Sequence, residues 1–367
     1  MSDPIVLNAV DNDDGNLVFQ LSNVDKSVAN GLRRTILSDI PVVVFRTSPE
    51  EENNCVIEKN TTRFNNEIVK QRLSCIPICI ADPDKSIDTL LLEVKKENQC
   101  SEIIYVTTED FKIKETNTGK CLSESETNKI FPPNAQTKCF IDFLRLRPPL
   151  ADDLKGEEIS LTCRFSRSSA KESGMFNAAC TCSYGGTQNV DQVLLEWDKI
   201  QAKMEKDGTP DEEVMNAKEN WFLLDAKRYV IDNSFDFVVG GIGIYDNRAL
   251  VRIACNVIMR QLSECASLEG VSVDQCLTSM ENAYDIVLSN GDYTVGKLLE
   301  YMLYDNLFQS KNKQITFVAF FKNHPHDTSG ILRVAFVNET SKEEVKLTLQ
   351  ATCETTKTIF EKLQALF

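Results

Sequence analysis

The chain has 367 residues, 42% of them apolar and 26% charged, and a formal charge of −15. That length exceeds one typical core and predicts two or three domains. A net anion is repelled by a phosphate backbone, which argues against extensive direct nucleic-acid binding by the bare chain. A local basic patch, or an acidic surface docked on a basic partner, stays open.

The N-terminal MSDPIVLNAV has no basic flank before an apolar core, so no signal peptide is expected there. No apolar run approaches the roughly 20 residues that span a bilayer. The expectation is a soluble, intracellular protein. Thirteen cysteines, an odd number scattered along the chain, suit reduced thiols better than a disulfide framework. The two histidines, His324 and His326, exclude a His-based triad or acid–base pair elsewhere.

Residues 5–25 predict a β-hairpin. Asn12-Asp13-Asp14-Gly15 is a turn signal, and Leu17, Phe19 and Leu21 alternate on one face. Residues 26–39 predict a helix with Val28, Leu32, Thr35 and Ile36 on one stripe and Arg33 and Arg34 off it; Pro41 ends it. Residues 42–190 carry many short β-rich runs: 42–45, 74–80, 89–94, 103–107, 138–144 and 158–165. Residues 114–129 read as a polar loop. Helices are predicted at 189–206 and 211–227, separated by Gly208 and Pro210, then a strand at 229–240.

A long helix follows over 247–268, burying Leu250, Ile253, Ala254, Val257, Ile258 and Leu262. Residues 269–282 read as a linker. A strand from Ala283 leads to a helix with Thr294 as its expected N-cap and Val295, Leu298, Leu299, Met302 and Leu303 on its apolar face. Strands at 314–321 and 331–337 precede a last helix. Ser341 and Glu344 form its capping box, and Val345, Leu349, Thr352, Ile359, Leu363 and Leu366 form its stripe. Residues 17–41 and 283–307 thus repeat one strand–turn–helix unit, as two halves of a dimer joined end to end would.

The stretch from Ser27 to Pro41, SVANGLRRTILSDIP, resembles the signature of the alpha-type subunits of multisubunit RNA polymerases: bacterial alpha, archaeal D and the third subunit of RNA polymerase II. Residues 60–77, NTTRFNNEIVKQRLSCIP, resemble a second block of that family. The stretch from Asn290 to Leu299, NGDYTVGKLL, and the His324-Pro325-His326 turn resemble the smaller partner, the eleventh subunit or archaeal L. A fusion of the two subunits is similar to what large nucleocytoplasmic DNA viruses encode.

The resemblance implies an α+β fold of two alpha-type dimerisation modules, each a sheet plus two helices, forming a pseudo-heterodimer within one chain. Residues 1–45 and 220–268 would form the first module, 46–219 a β-rich insert with a helical end, 269–282 a linker and 283–367 the second module. It implies a non-catalytic assembly subunit. The intramolecular interface would be formed by Val28, Leu32, Ile36, Ile253, Val257, Val295, Leu298, Leu299, Met302, Leu349, Ile359 and Leu363. Arg33, Arg34, Glu67 and Arg72 would dock the two large catalytic subunits. Small polymerase subunits would also be partners, DNA and RNA would be reached only through the complex, and no membrane would be involved. If viral, the chain would work in the host cytoplasm, a viral factory, the virion or the nucleus.

No catalytic residue, metal or cofactor is expected. The family's insert carries a cysteine-rich zinc loop, but Cys55, Cys75, Cys79, Cys100, Cys121, Cys139, Cys163, Cys180 and Cys182 show no C-x2-C spacing. Cys180-Thr181-Cys182 reads as two buried thiols rather than a redox pair. His324 and His326 read as a turn rather than metal ligands. Gly240-Gly241-Ile242-Gly243 lacks the spacing of a phosphate loop. Arg33 and Arg34 could be solvated helix charges, although Arg forks suit desolvated partner contacts. Two other functions remain open: a stand-alone regulator that binds a polymerase through an alpha-like fold, and a redox or zinc protein.

Overall fold

The computed structural model describes residues 4–12, 14–82, 86–149, 151, 154–276 and 280–367. Asp13 of the predicted turn and residues 277–279 of the predicted linker lie outside them. The chain divides into two compact units. The first comprises Met1–Ile36, Thr181–Gly240 and Asn247–Phe367, and the second Leu37–Cys180 and Gly241–Asp246.

In chain order the elements begin β1 (Ile5–Asp11), β2 (Leu17–Ser22), α1 (Lys26–Ser38), β3 (Val42–Val44), β4 (Cys55–Asn60), α2 (Asn66–Ser74), β5 (Leu90–Glu97), β6 (Ile104–Thr107), β7 (Lys112–Glu115) and α3 (Glu124–Ile130). There follow β8 (Asp142–Leu146), β9 (Glu158–Arg164), β10 (Ser166–Ser168), β11 (Ala179–Gln188), α4 (Val190–Lys206), α5 (Asp211–Leu223) and β12 (Val230–Gly241). The last are α6 (Asn247–Ala266), β13 (Val271–Gln275), β14 (Ala283–Leu288), α7 (Tyr293–Leu303), β15 (Ile315–Phe321), β16 (Gly330–Phe336) and α8 (Lys342–Gln364).

The first unit holds two four-stranded sheets, ordered β1-β2-β12-β11 and β13-β14-β16-β15. The hairpin forms where predicted: the Asn12 carboxamide oxygen accepts from the amides of Asp14 and Asn16 at 3.1 and 2.9 Å, an Asx turn that replaces ladder bonds at the tip. Leu17, Phe19 and Leu21 are buried, as their alternation requires. Phe19 lies opposite Phe237 across β2 and β12, and the rings stack 5.0 Å apart. In the second sheet Asp285 and Arg333 face each other on β14 and β16 and form a two-pronged ion pair at 2.7 and 2.9 Å.

The helical stripes also form as read, with Val28, Leu32, Thr35 and Ile36 buried on α1 and Val295, Leu298, Leu299, Met302 and Leu303 on α7. The capping box of Ser341 and Glu344 starts α8. Several expectations change. Asp292, not Thr294, caps α7: its carboxylate accepts from the amides of Thr294 and Val295, where a negative charge also meets the helix dipole. Ile253 is half-buried, and Leu366 lies beyond the end of α8, exposed. The stretch read as a linker contains β13, a short edge strand paired with β14. Helices α4 and α5, read as the end of the insert, fall in the first unit, and α5 buries none of its side chains.

The second unit is β-rich. Its main sheet runs β4-β9-β5-β7, with two-stranded pairs β3-β10 and β6-β8. One core joins them, in which Phe111 meets Phe131 and Phe143 edge-on at 5.2 and 5.6 Å and Phe45 packs on Phe165 at 4.9 Å. Residues 74–80 are not a strand. Asn65 caps α2 by accepting from the Ile68 amide, the helix runs to Ser74, and Pro77 lacks the N–H that a ladder needs. The region read as a polar loop contains α3, begun by a capping box of Ser123 and Glu126. The strand expected over 138–144 runs Asp142–Leu146 instead. Strand β4 and helix α2 were not expected as elements.

Candidate assembly interface

Within the first unit the helices of the two sheets meet, most extensively through α6 and α8. Helix α1 meets α7. Gly31 lies under Leu298: a Cβ added to Gly31 would stand 3.2 Å from Leu298 Cδ1. One turn further along α1, Arg34 Nε donates to Thr294 Oγ1 at 2.9 Å, one turn back along α7. The two helices thus touch at Gly31 and Arg34 of α1 and at Leu298 and Thr294 of α7. The missing side chain at Gly31 admits the leucine between the backbones. The Arg34 bond satisfies a buried hydroxyl. Thr294→Val is expected to lower stability by about 1 kcal/mol through that lost bond. Thr294→Ser should restore it, read as the urea midpoint; an unchanged midpoint in the valine variant would mean that the bond contributes nothing.

Helix α6 opposes α8. Arg252 Nη1 donates to the Phe367 carbonyl at 2.8 Å, Gln364 Nε2 to Asn256 Oδ1 at 2.8 Å, and Gln350 Nε2 to the Ala266 carbonyl at 2.8 Å. These bonds order the two helices antiparallel over most of their lengths. Both helices also bury apolar side chains: Leu250, Val251, Ala254, Val257, Ile258 and Leu262 on α6, and Val345, Leu349, Ile359, Phe360 and Leu363 on α8. Phe19 of β2 touches the ring of Phe367 edge-on at 4.8 Å, so the first sheet also reaches the end of α8.

The seam is dry. Burial pushes the thiols of Cys255 and Cys353 up to about 12 and that of Cys265 to about 11. On α7, Tyr301 is pushed up to about 12, first by burial and then by Asp305 and by Asp25 at the start of α1.

Of the residues expected at an interface, Val28, Leu32, Ile36, Val257, Val295, Leu298, Leu299, Met302, Leu349, Ile359 and Leu363 are all buried in this unit, and Ile253 is half-buried. The polar ties at Asn256, Gln350 and Gln364 were not foreseen, because in sequence they look like solvated positions. The four expected docking residues divide between the units. Arg33, half-buried, donates to Asn30 Oδ1 of its own helix at 3.1 and 2.9 Å, and Arg34 is the exposed partner of Thr294. Glu67 is exposed in the first turn of α2, and Arg72 donates to the carbonyls of Phe143 and Asp142 at 2.7 and 3.1 Å.

The other candidates have plain surroundings. His324 and Asp327 close a turn on each other, with the His324 amide on Asp327 Oδ2 at 2.9 Å and the Asp327 amide on the His324 carbonyl at 3.0 Å. Of the Cys180–Cys182 pair, Cys182 is buried and pushed up to about 12 by burial, but Cys180 is exposed, so the pair is not two buried thiols. Cys55 and Cys163 face each other across β4 and β9 as free thiols. Among the described residues, no three His, Cys, Asp or Glu side chains are grouped to hold a metal ion. Also among them, no helix is long and apolar enough to cross a membrane.

Residues 18–262 match the family described as the RNA polymerase Rpb3/Rpb11 dimerisation domain. The chain belongs to that family. The match runs from β2 into α6; α7, α8 and the second sheet lie beyond it. This Rpb3/Rpb11-type chain is 26% identical over 188 residues to the DNA-directed RNA polymerases I and III subunit rpac1 of Dictyostelium discoideum, covering 46% of this chain and 48% of the relative. It is 24% identical over 171 residues to the DNA-directed RNA polymerase II subunit rpb3 of the same organism, covering 46% and 53%. The Rpb3/Rpb11-type chain thus spans about half the length of the curated relatives it matches.

Proposed function

We propose that this chain is a non-catalytic assembly scaffold of a DNA-directed RNA polymerase, with two alpha-type modules written as one chain. In this reading the larger-subunit-like module is the N-terminal part of the first unit, interrupted by the β-rich second unit as its insert, and residues 283–367 are the smaller-subunit-like module. The paired modules hold the two large catalytic subunits through Arg33, Arg34, Glu67 and Arg72. The chain itself does no chemistry and meets DNA and RNA only through the complex.

The observation that carries the reading is the antiparallel α6/α8 pair in a chain of the dimerisation-domain family. The long helix at the end of the family match finds a long partner helix in the same chain. Joining two partners in one chain raises their effective concentration to the order of millimolar, so pairing no longer depends on how much of each is made.

The test is affinity purification of the tagged full chain from cells that express it, with the stoichiometry of co-purified proteins measured. One copy per pair of large polymerase subunits is expected. Recovery far below that ratio, or with only one large subunit, defeats the scaffold reading and favours a regulator that binds a finished polymerase.

A further inference from the structure

We propose that a basic cleft in the second unit docks an acidic segment of a partner protein. The cleft has a volume of about 640 Å³ and is lined by Arg63, Phe64, Arg72 and Arg145 along the Asp142–Leu144 stretch of β8. It continues past Arg72 and Asp142 into a shallower depression of about 260 Å³ bounded by Ile141. The proposal rests on the docking reading above and deepens it by naming the chemistry of the partner at Arg72.

Three guanidinium groups face one lining carboxylate, that of Asp142, on a chain whose overall charge is −15. All three arginines are exposed, and none forms an ion pair among the described residues. A basic concavity on an acidic protein concentrates its field locally and selects carboxylates. Two of the arginines, Arg72 and Arg145, are also held in place. Arg72 spends Nε and Nη2 on the two β8 carbonyls, which leaves Nη1 without a hydrogen bond among the described residues, and its guanidinium lies 5.7 Å from the Phe64 ring centre. Arg145 lies over Tyr105 at 5.3 Å. Forks fixed before binding lose little freedom when they grip a carboxylate.

The cleft is not wholly polar. Phe64 and Ile141 are large apolar side chains about two-fifths exposed, at 39% and 40%. Charged forks beside exposed apolar surface suit a segment in which Asp and Glu are interleaved with apolar side chains. A nucleic acid would offer the same negative charge, but it would have to approach the whole anionic chain.

The experiment is a fluorescence anisotropy titration of the full chain with a short labelled peptide in which Glu and Asp alternate with Phe and Leu. Two controls are the same peptide with Lys in place of the acids and a single-stranded oligonucleotide of equal charge. The acidic peptide should bind, weaken with added salt, and lose at least about tenfold in affinity in the Arg63→Glu, Arg145→Glu double variant. Both arginines are exposed and, among the described residues, free of ion pairs, so the variant should melt like the parent; an Arg63→Gln, Arg145→Gln variant repeats the measurement without adding negative charge. Equal affinity of parent and both variants overturns the proposal, as does tighter binding of the oligonucleotide or of the Lys peptide. The titration uses the isolated chain, so its failure removes the cleft. Failure of the co-purification removes the scaffold reading instead.

Discussion

Gly296→Ala is expected to destabilise the protein by roughly 2 kcal/mol, although alanine is the better helix former. A Cβ at Gly296 would fall 2.4 Å from three atoms of the Phe320 ring, and one at Gly330 would fall 2.3 Å from Cζ of the same ring. Phe320 is buried on β15, in a slot left by missing side chains on α7 and β16. It cannot retreat freely, because Tyr293 meets it edge-on at 5.5 Å and its amide is bonded to the Glu300 carboxylate at 2.6 Å. Overpacking of this kind costs about 1–3 kcal/mol, and contact from two sides places it at the upper end. The gain in helix propensity returns only about 0.5–1 kcal/mol. Urea unfolding checks the sum. Gly185→Ala, where nothing lies within 4 Å, is the control and should leave stability nearly unchanged. Combining Gly296→Ala with Phe320→Leu should cost less than the two changes added, since the shorter side chain vacates the slot. A Gly296→Ala variant as stable as the parent would mean that the ring is not seated there.

That slot explains a sequence feature in physical terms. NGDYTVGKLL was readable as a turn entering a helix, and its apolar spacing placed Leu298 and Leu299 correctly. The reason for Gly296 was not readable, because Phe320 and Gly330 approach it only in the folded sheet. Helices with regular stripes, α1, α7 and α8, were legible because burial on one side imposes the 3.6-residue period. Helix α2 was hidden: it is short, buries only Val69, Leu73 and Ser74, and ends near Pro77. Strand β13, a short edge with three of its five residues, Ser272, Asp274 and Gln275, polar and exposed, looked like a linker for the same reason. The basic cleft was half-visible. Arg63 and Arg72 stand in one sequence block, but Arg145 joins them only because α2 is tied to β8.

Phe19→Ala is expected to cost about 3–5 kcal/mol, the range for deleting a buried phenylalanine. Phe19 is 1% exposed and has aromatic contacts on two sides: Phe237 of its own sheet and Phe367 beyond α8. The second contact makes the substitution informative about assembly. Phe367 is half-buried, so Phe367→Ala should cost less, and a double-mutant cycle should return a coupling of about 0.5–1.5 kcal/mol for the edge-on pair. If the α1/α7 and α6/α8 contacts make the two sheets one cooperative body, the loss at Phe19 should reach both. Hydrogen exchange of β14 and β16 should then accelerate in Phe19→Ala alongside β2 and β12, by factors that report the same free energy. Acceleration confined to β1, β2 and β12 would mean that the sheets open separately. The pairing in one chain would then be a tether rather than a single folded platform. An equal response in both sheets is the result that a preassembled pair requires.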